Sequence, residues 1–244
     1  MILMVGKYPS IFQNAVLWAP LLHSAGYTND IDEFPIIPSG VTVTNNGSWT
    51  KSDLGNNKSV LVFDGSTNYI SLTDDVAWDI YDGDFTISAW VKFSSVSVSN
   101  GVFGQRVDLN NYVALRWITD SNVILLNGYS GGTVNFNYTC PFTPIANIWY
   151  YLVIMKSGSA CLMYIDDINQ TVTELQAWRN TTNIAAPLTV GLGGAVNMSG
   201  CIYDLRIYKG RALTLPEIKL LVKITHPVTG SGMIPGPYDY WRLS

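Results

Sequence analysis

Asp84-Phe-Thr-Ile-Ser-Ala-Trp-Val-Lys-Phe93 alternates with a period of two. Phe85, Ile87, Ala89, Val91 and Phe93 fall on one side, and Thr86, Ser88, Trp90 and Lys92 on the other. Successive side chains of an extended chain point to opposite faces, so this pattern predicts a β-strand with one face on a core. Trp149-Tyr-Tyr-Leu-Val-Ile-Met-Lys156 is apolar on both faces until its end, as a central strand is, and Cys161-Leu-Met-Tyr-Ile165 follows across Ser157-Gly-Ser159. Similar runs at Leu61–Phe63, Tyr69–Leu72, Val102–Val107, Tyr112–Thr119, Val123–Leu126, Ile168–Thr173, Leu188–Leu192 and Gly200–Tyr208 are separated by Gly, Asn, Asp and Ser. Short strands at such intervals predict an all-β sandwich.

One helix signal stands near the end. Thr214-Leu-Pro-Glu217 has the spacing of a capping box before Ile-Lys-Leu-Leu-Val, which predicts a short helix over 215–222. The chain divides into an N-terminal arm at 1–14, a globular body at 15–222 and a tail at 223–244. The tail combines Pro/Gly-rich Val228–Pro237 with Tyr238-Asp-Tyr-Trp241. It is too polar to fold alone and too aromatic for a solvated linker, so Tyr238, Tyr240 and Trp241 are candidate assembly anchors on another chain.

Composition removes several function classes. Of 244 residues only 13% are charged, with a net charge of -4, against roughly a quarter in an average domain. Nucleic acid calls for clustered Lys and Arg, and the 14 basic residues here are scattered. No run of about 18 apolar residues spans a membrane, and Met1–Lys7 does not have the length of a secretory signal. So few charges fit a subunit partly buried in an oligomer or larger particle. Cys140, Cys161 and Cys201 form an odd set without a CxxC pair and read as buried free thiols. His23 and His226 have no zinc-ligand spacing.

Several motifs in chain order resemble the laminin G-like jelly rolls of the concanavalin A-like lectin/glucanase superfamily. They are Val62-Phe-Asp-Gly65 with Tyr69-Ile-Ser-Leu72, Gly83–Lys92, Ile148–Ile154 with Leu162–Asp167, Val190–Gly194, and Gly200–Tyr208 with Arg211-Ala-Leu-Thr214. The resemblance implies a two-sheet antiparallel jelly roll from about Leu17 to Leu221. It is similar in style to modules of tailed-phage virions, which implies a virion surface protein such as a tail or head fibre that recognises a glycan or protein. A capsid decoration without a small ligand, or an extracellular cell-surface adhesion module, are the alternatives.

Glycanases of this superfamily carry Glu-x-Asp-x-x-Glu on one strand. This chain has three glutamates, Glu33, Glu174 and Glu217, all far apart, and Asp30-Ile-Asp-Glu33 lacks the second spaced acid. The expectation is therefore no catalysis. No cofactor is expected either. Calcium is the one metal the resemblance raises, but Tyr203 stands at the first acid position of the closing strand and Asp204 at the second. Asp74, Asp75, Asp79, Asp82 and Asp84 read more readily as turn formers than as an alternative cage. A sugar is best met by exposed aromatic faces beside amides and arginine. Trp178-Arg179-Asn180 and Tyr129, in Asn127-Gly-Tyr-Ser-Gly-Gly132, are the candidate ligand contacts.

Overall fold

The computed structural model describes residues 15–19, 21–24, 36–55, 58–80, 83–179 and 183–227. The arm at 1–14, Asp30–Glu33, Asp82, Asn180 and the aromatic residues Tyr238, Tyr240 and Trp241 lie outside them.

Two antiparallel sheets make a sandwich. The first has nine strands, in the spatial order Ile168–Asn169, Ala160–Ile165, Trp149–Ser157, Phe85–Phe93, Ser199–Lys209, Lys58–Asp64 and Leu22–Ser24. Leu17–Ala19 also pairs with Ser199–Lys209, and Thr50–Gly55 with Lys58–Asp64. The second has eight, in the order Thr173–Gln176, Thr133–Pro141, Val123–Ser130, Tyr112–Ile118, Asn100–Arg106, Leu188–Val190, Tyr69–Leu72 and Val43–Asn46. A small hairpin, Leu192–Gly193 with Val196–Asn197, stands apart from both. The jelly roll expected from the sequence is the architecture found.

The core between the sheets contains Phe85, Ile87, Ala89, Val91 and Phe93 from the first, and Val113, Leu115, Trp117, Ile124, Leu126, Phe136 and Tyr138 from the second. Phe93 and Trp117 meet at 5.6 Å between ring centroids, and Trp117 Nε1 donates to Phe142 O at 3.0 Å. Burying each large apolar side chain contributes about 1.5–3 kcal/mol, enough in number to offset the ordering of the chain.

The other face of Phe85–Phe93 differs from the expectation. Thr86, Ser88 and Trp90 are buried too, because a second apolar layer covers them: Tyr151, Tyr203, Tyr208, Leu213, Ile218 and Leu221. The cover is the helix Leu215–Thr225, which buries Ile218, Leu221 and Thr225 on one face. Polar atoms there find partners, as buried ones must. Thr86 Oγ1 donates to Arg211 O and accepts from Leu213 N. Tyr151 Oη donates to Ser88 Oγ, and Trp90 Nε1 donates to Thr225 Oγ1 at 2.9 Å.

The helix starts where the capping box places it, with Thr214 N donating to Glu217 Oε2 at 2.8 Å. Burial would raise the Glu217 carboxyl, but hydrogen bonds from Thr214 and the Arg211 charge hold it below its usual range. The helix runs three residues past the predicted 222. Thr225 Oγ1 bonds back to Leu221 O, and Pro227 favours extended backbone just beyond.

Two further differences lie in the strands. Val123–Ser130 continues past Leu126 and pairs with Thr133–Pro141, a strand the alternation did not reveal. Asn127, Gly128, Asn135 and Asn137 are turn-type residues that mask the pattern, and the ladder to neighbouring strands overrides their local preference. The run read as Ile168–Thr173 splits: Ile168–Asn169 ends one sheet and Thr173–Gln176 begins the other.

Ser199–Lys209 carries a buried ion pair. Its pairing with Phe85–Phe93 breaks between Tyr203 and Arg206, and Asp204 sits in the bulge with φ 53°. The Asp204 carboxylate accepts from Arg206 Nη2 at 2.8 Å and from Trp18 Nε1 at 2.7 Å, while the Arg206 guanidinium stacks on the Trp18 ring. Burial works against the Arg206 charge, and the carboxylate beside it keeps the group protonated all the same.

Candidate functional site

Val113, Leu115 and Trp117 point into the core, so Tyr112, Ala114, Arg116 and Ile118 take the outer face of the eight-stranded sheet. The register then lays out that face row by row. One row is Arg106, Tyr112, Tyr129 and Val134; the next is Gly104, Ala114, Asn127, Asn137 and Gln176; the third is Gly101, Arg116, Leu125, Thr139 and Thr173. None of these side chains is a carboxylate.

Their contacts tie the rows together. Tyr112 and Tyr129 stack with centroids 4.9 Å apart and planes 18° from parallel. Asn127 joins both neighbours, accepting from Arg116 Nη2 at 2.9 Å and donating to Tyr112 Oη at 3.2 Å. Arg116 Nε and Asn137 Oδ1 are buried without a hydrogen-bond partner. A face with an aromatic pair, amides and a guanidinium is equipped to hold a polar ligand with apolar patches, and its three described rows carry no carboxylate.

The Leu192–Gly193/Val196–Asn197 hairpin walls one side. It closes onto the sheet because glycines meet there. A Cβ on Gly101 would fall 1.9 Å from Val196 O, and one on Gly193 would fall 2.7 Å from Leu115 O and 2.8 Å from Arg116 Cγ. Thr189 Oγ1 lies within hydrogen-bond distance of Gly104 O and Leu192 O and secures its base. Gly101→Ala is expected to lift the hairpin, with a loss of about 2 kcal/mol or more in chemical denaturation. An unchanged midpoint would show that the backbone yields freely.

The residues singled out in the sequence are dispersed. Tyr129 belongs to this face, at the end of a strand rather than in a loop. Trp178 is half-buried at the mouth of the core, its ring 4.1 Å from Phe136, 5.1 Å from Tyr138 and 5.7 Å from Phe85. Arg179 is exposed at the rim, its backbone N–H on Asn135 O at 2.8 Å. Tyr112, Arg116, Asn127 and Asn137 escaped the sequence reading, although Tyr112 and Arg116 stand two apart twice over on the polar side of an alternating strand.

Two other chemistries find little purchase. Among the described residues no three His, Cys, Asp or Glu side chains cluster as metal ligands, and Asp204 is engaged by Arg206 and Trp18. Asp64, another candidate oxygen donor, accepts from the N–H groups of Ser66, Thr67 and Asn68; burial opposes these bonds, yet they hold its carboxyl well below the usual range. All three cysteines are free and buried. Burial pushes the Cys140 thiol up to about 11 and raises those of Cys161 and Cys201, which keeps them unreactive.

An antiparallel two-sheet jelly roll with an open outer face defines the class of lectin-like sandwiches. The chain belongs to the laminin G-like family of the concanavalin A-like lectin/glucanases superfamily, whose model matches residues 64–219. None of the curated proteins compared with it matches. Among solved structures it is similar to domain 4 of AbnA, a GH43 extracellular arabinanase from Geobacillus stearothermophilus in complex with arabinotriose, at 21% identity and a TM-score of 0.58 over 75% of this chain and 87% of that one. It is also similar to botulinum neurotoxin type C, in a study of cell entry through two ganglioside molecules, at 14% identity and a TM-score of 0.63. The binding domain of Paraclostridial Mosquitocidal Protein 1 follows at 16% and 0.62. These two matches cover 88% and 87% of this chain, which spans about half of theirs, 52% in each case.

Proposed function

We propose that the protein is a non-catalytic carbohydrate-binding module whose ligand lies across the outer face of the eight-stranded sheet. The observation that carries this reading is the Tyr112–Tyr129 stack beside the Arg116–Asn127 pair. Aromatic surface packs on the C–H patches of a sugar, while the guanidinium and amides take its hydroxyls. The absence of any carboxylate from the three rows supports binding without hydrolysis, since glycoside cleavage runs on two of them. Two structural neighbours, one in complex with arabinotriose and one that enters cells through gangliosides, agree in kind.

The setting we propose is the exterior of a virion or a cell, with attachment through the terminal segments and Tyr238, Tyr240 and Trp241 as anchors on another chain. The low charge content supports that setting. A second reading, an assembly protein whose contact is another subunit, is favoured by Val98, Ile145 and Ile148. They are 50%, 66% and 48% exposed on the loops that meet where Asn147 N donates to Phe93 O.

A glycan array followed by titration calorimetry tests the first reading. Tyr129→Ala is expected to weaken the best array ligand at least about tenfold, near 1.4 kcal/mol, with an unchanged melting temperature. Trp178→Ala, by contrast, is expected to lower stability by about 2 kcal/mol through lost core contacts. An array on which no glycan binds the wild type would sink the reading and leave the assembly role.

A further inference from the structure

Charge on the proposed face is one-sided. Its rows hold two cations, Arg106 and Arg116, and no acid. Arg106, at the exposed end of the first row, lies near Asp108; the Asn110 N–H and the Asn111 amide hold that carboxyl below its usual range, and Arg106 adds to the effect. Arg116 is different. Its contacts are with neutral groups, Asn127 Oδ1 at 2.9 Å and the Tyr112 ring at 5.8 Å, and among the described residues no carboxylate comes within ion-pair reach. Its Nε is buried and unpartnered.

The side chain is also held in place. Gly193 and Gly194 bring the hairpin against it, so close that a Cβ on Gly193 would lie 2.8 Å from its Cγ, and Asn127 fixes the guanidinium through Nη2. A half-buried guanidinium without a counter-charge carries a desolvation cost that an incoming anion offsets. Fixing its geometry in advance reduces what a ligand loses on binding. A planar guanidinium with free N–H groups matches a carboxylate in two parallel hydrogen bonds, which a neutral hydroxyl does not reproduce.

We infer that the ligand is an acidic glycan, a sugar bearing a carboxylate, and that Arg116 is the residue that selects for the acid. This rests on the carbohydrate-binding reading above and narrows it. Uronic and sialic acids share the chemistry, so the test carries both arms.

Titrate the full chain with oligogalacturonate and with the same oligomer methyl-esterified, and in parallel with sialyllactose and lactose. The expected result is a preference of at least about tenfold for the free acid over its neutral counterpart in one arm, which names the source. The preference should shrink as sodium chloride shortens the screening length from ~10 Å at 0.1 M to ~3 Å at 1 M. Arg116→Gln should lose the preference with its melting temperature intact, and Arg116→Lys should keep part of it. Equal binding of acid and neutral forms, or a preference that survives in Arg116→Gln, overturns the inference. If Tyr129→Ala still abolishes binding in that case, the carbohydrate-binding reading stands without it. If neither acidic nor neutral oligomers bind in either arm, both fail.

Discussion

Arg206→Met, with Asp204 left in place, is expected to lower the free energy of unfolding by about 3–5 kcal/mol. Both side chains are almost wholly excluded from water, at 1% and 2% exposure, and the Asp204 carboxylate accepts from the guanidinium and the Trp18 indole. Removing the guanidinium leaves a carboxylate in an apolar layer with one donor, and it also strips the cation from the Trp18 ring. The double change Asp204→Asn, Arg206→Met should recover most of the loss. Neutral asparagine still accepts from Trp18 and tolerates the left-handed backbone at that position. Urea denaturation with an unchanged m value reads both effects. If the double variant is as unstable as the single one, stranded charge is not the cause.

Trp90→Ala is expected to cost about 3–5 kcal/mol and to loosen the helix Leu215–Thr225 selectively. Trp90 is buried between the nine-stranded sheet and that helix, with the Tyr151 ring at 5.0 Å, the His226 ring at 4.6 Å and a hydrogen bond to Thr225. The helix has 11 residues, so it draws its stability from this packing rather than from its own propensity. Hydrogen exchange should speed up in the helix amides well before those of the strands at Leu115 or Ile154. Trp90→Phe, which keeps most of the volume, should cost about 1 kcal/mol for the hydrogen bond, because Thr225 retains Leu221 O. Uniform loss of protection across both sheets would show that the helix is not a separable layer.

How far the sequence foretells these features follows from what a strand pattern records. Alternation at Phe85–Phe93 places five core residues correctly, because those positions meet apolar neighbours whatever the partner strand. It misjudges Thr86 and Ser88, because their burial depends on a helix more than 120 positions away in the chain. The Val123–Pro141 hairpin is obscured for a related reason. Asparagines on its outer face, and Gly128 on the inner face against Phe136, look like turn residues until the ladder pairs Asn127 with Asn137.

The candidate face suffers most. Tyr129 attracts notice as an aromatic among Asn, Gly and Ser, and so does Trp178, yet the first lies on the outer face and the second plugs the core mouth. Tyr112, Arg116, Asn127 and Asn137 come from three strands and become neighbours only through register. A one-residue slip would turn each of them inward.

The described chain enters through Ala15, which packs in the layer behind the nine-stranded sheet, and leaves past the helix that covers the same layer. Both junctions therefore lie behind the sheet that turns away from Tyr112 and Arg116. Copies tethered to a common support by either junction all turn the same face outward. On the carbohydrate-binding reading proposed above, a modest grip on one sugar is then multiplied by the neighbours' grips on others, and such avidity exceeds single-site affinity by about 100- to 10,000-fold where the spacing of the copies matches that of the sugars.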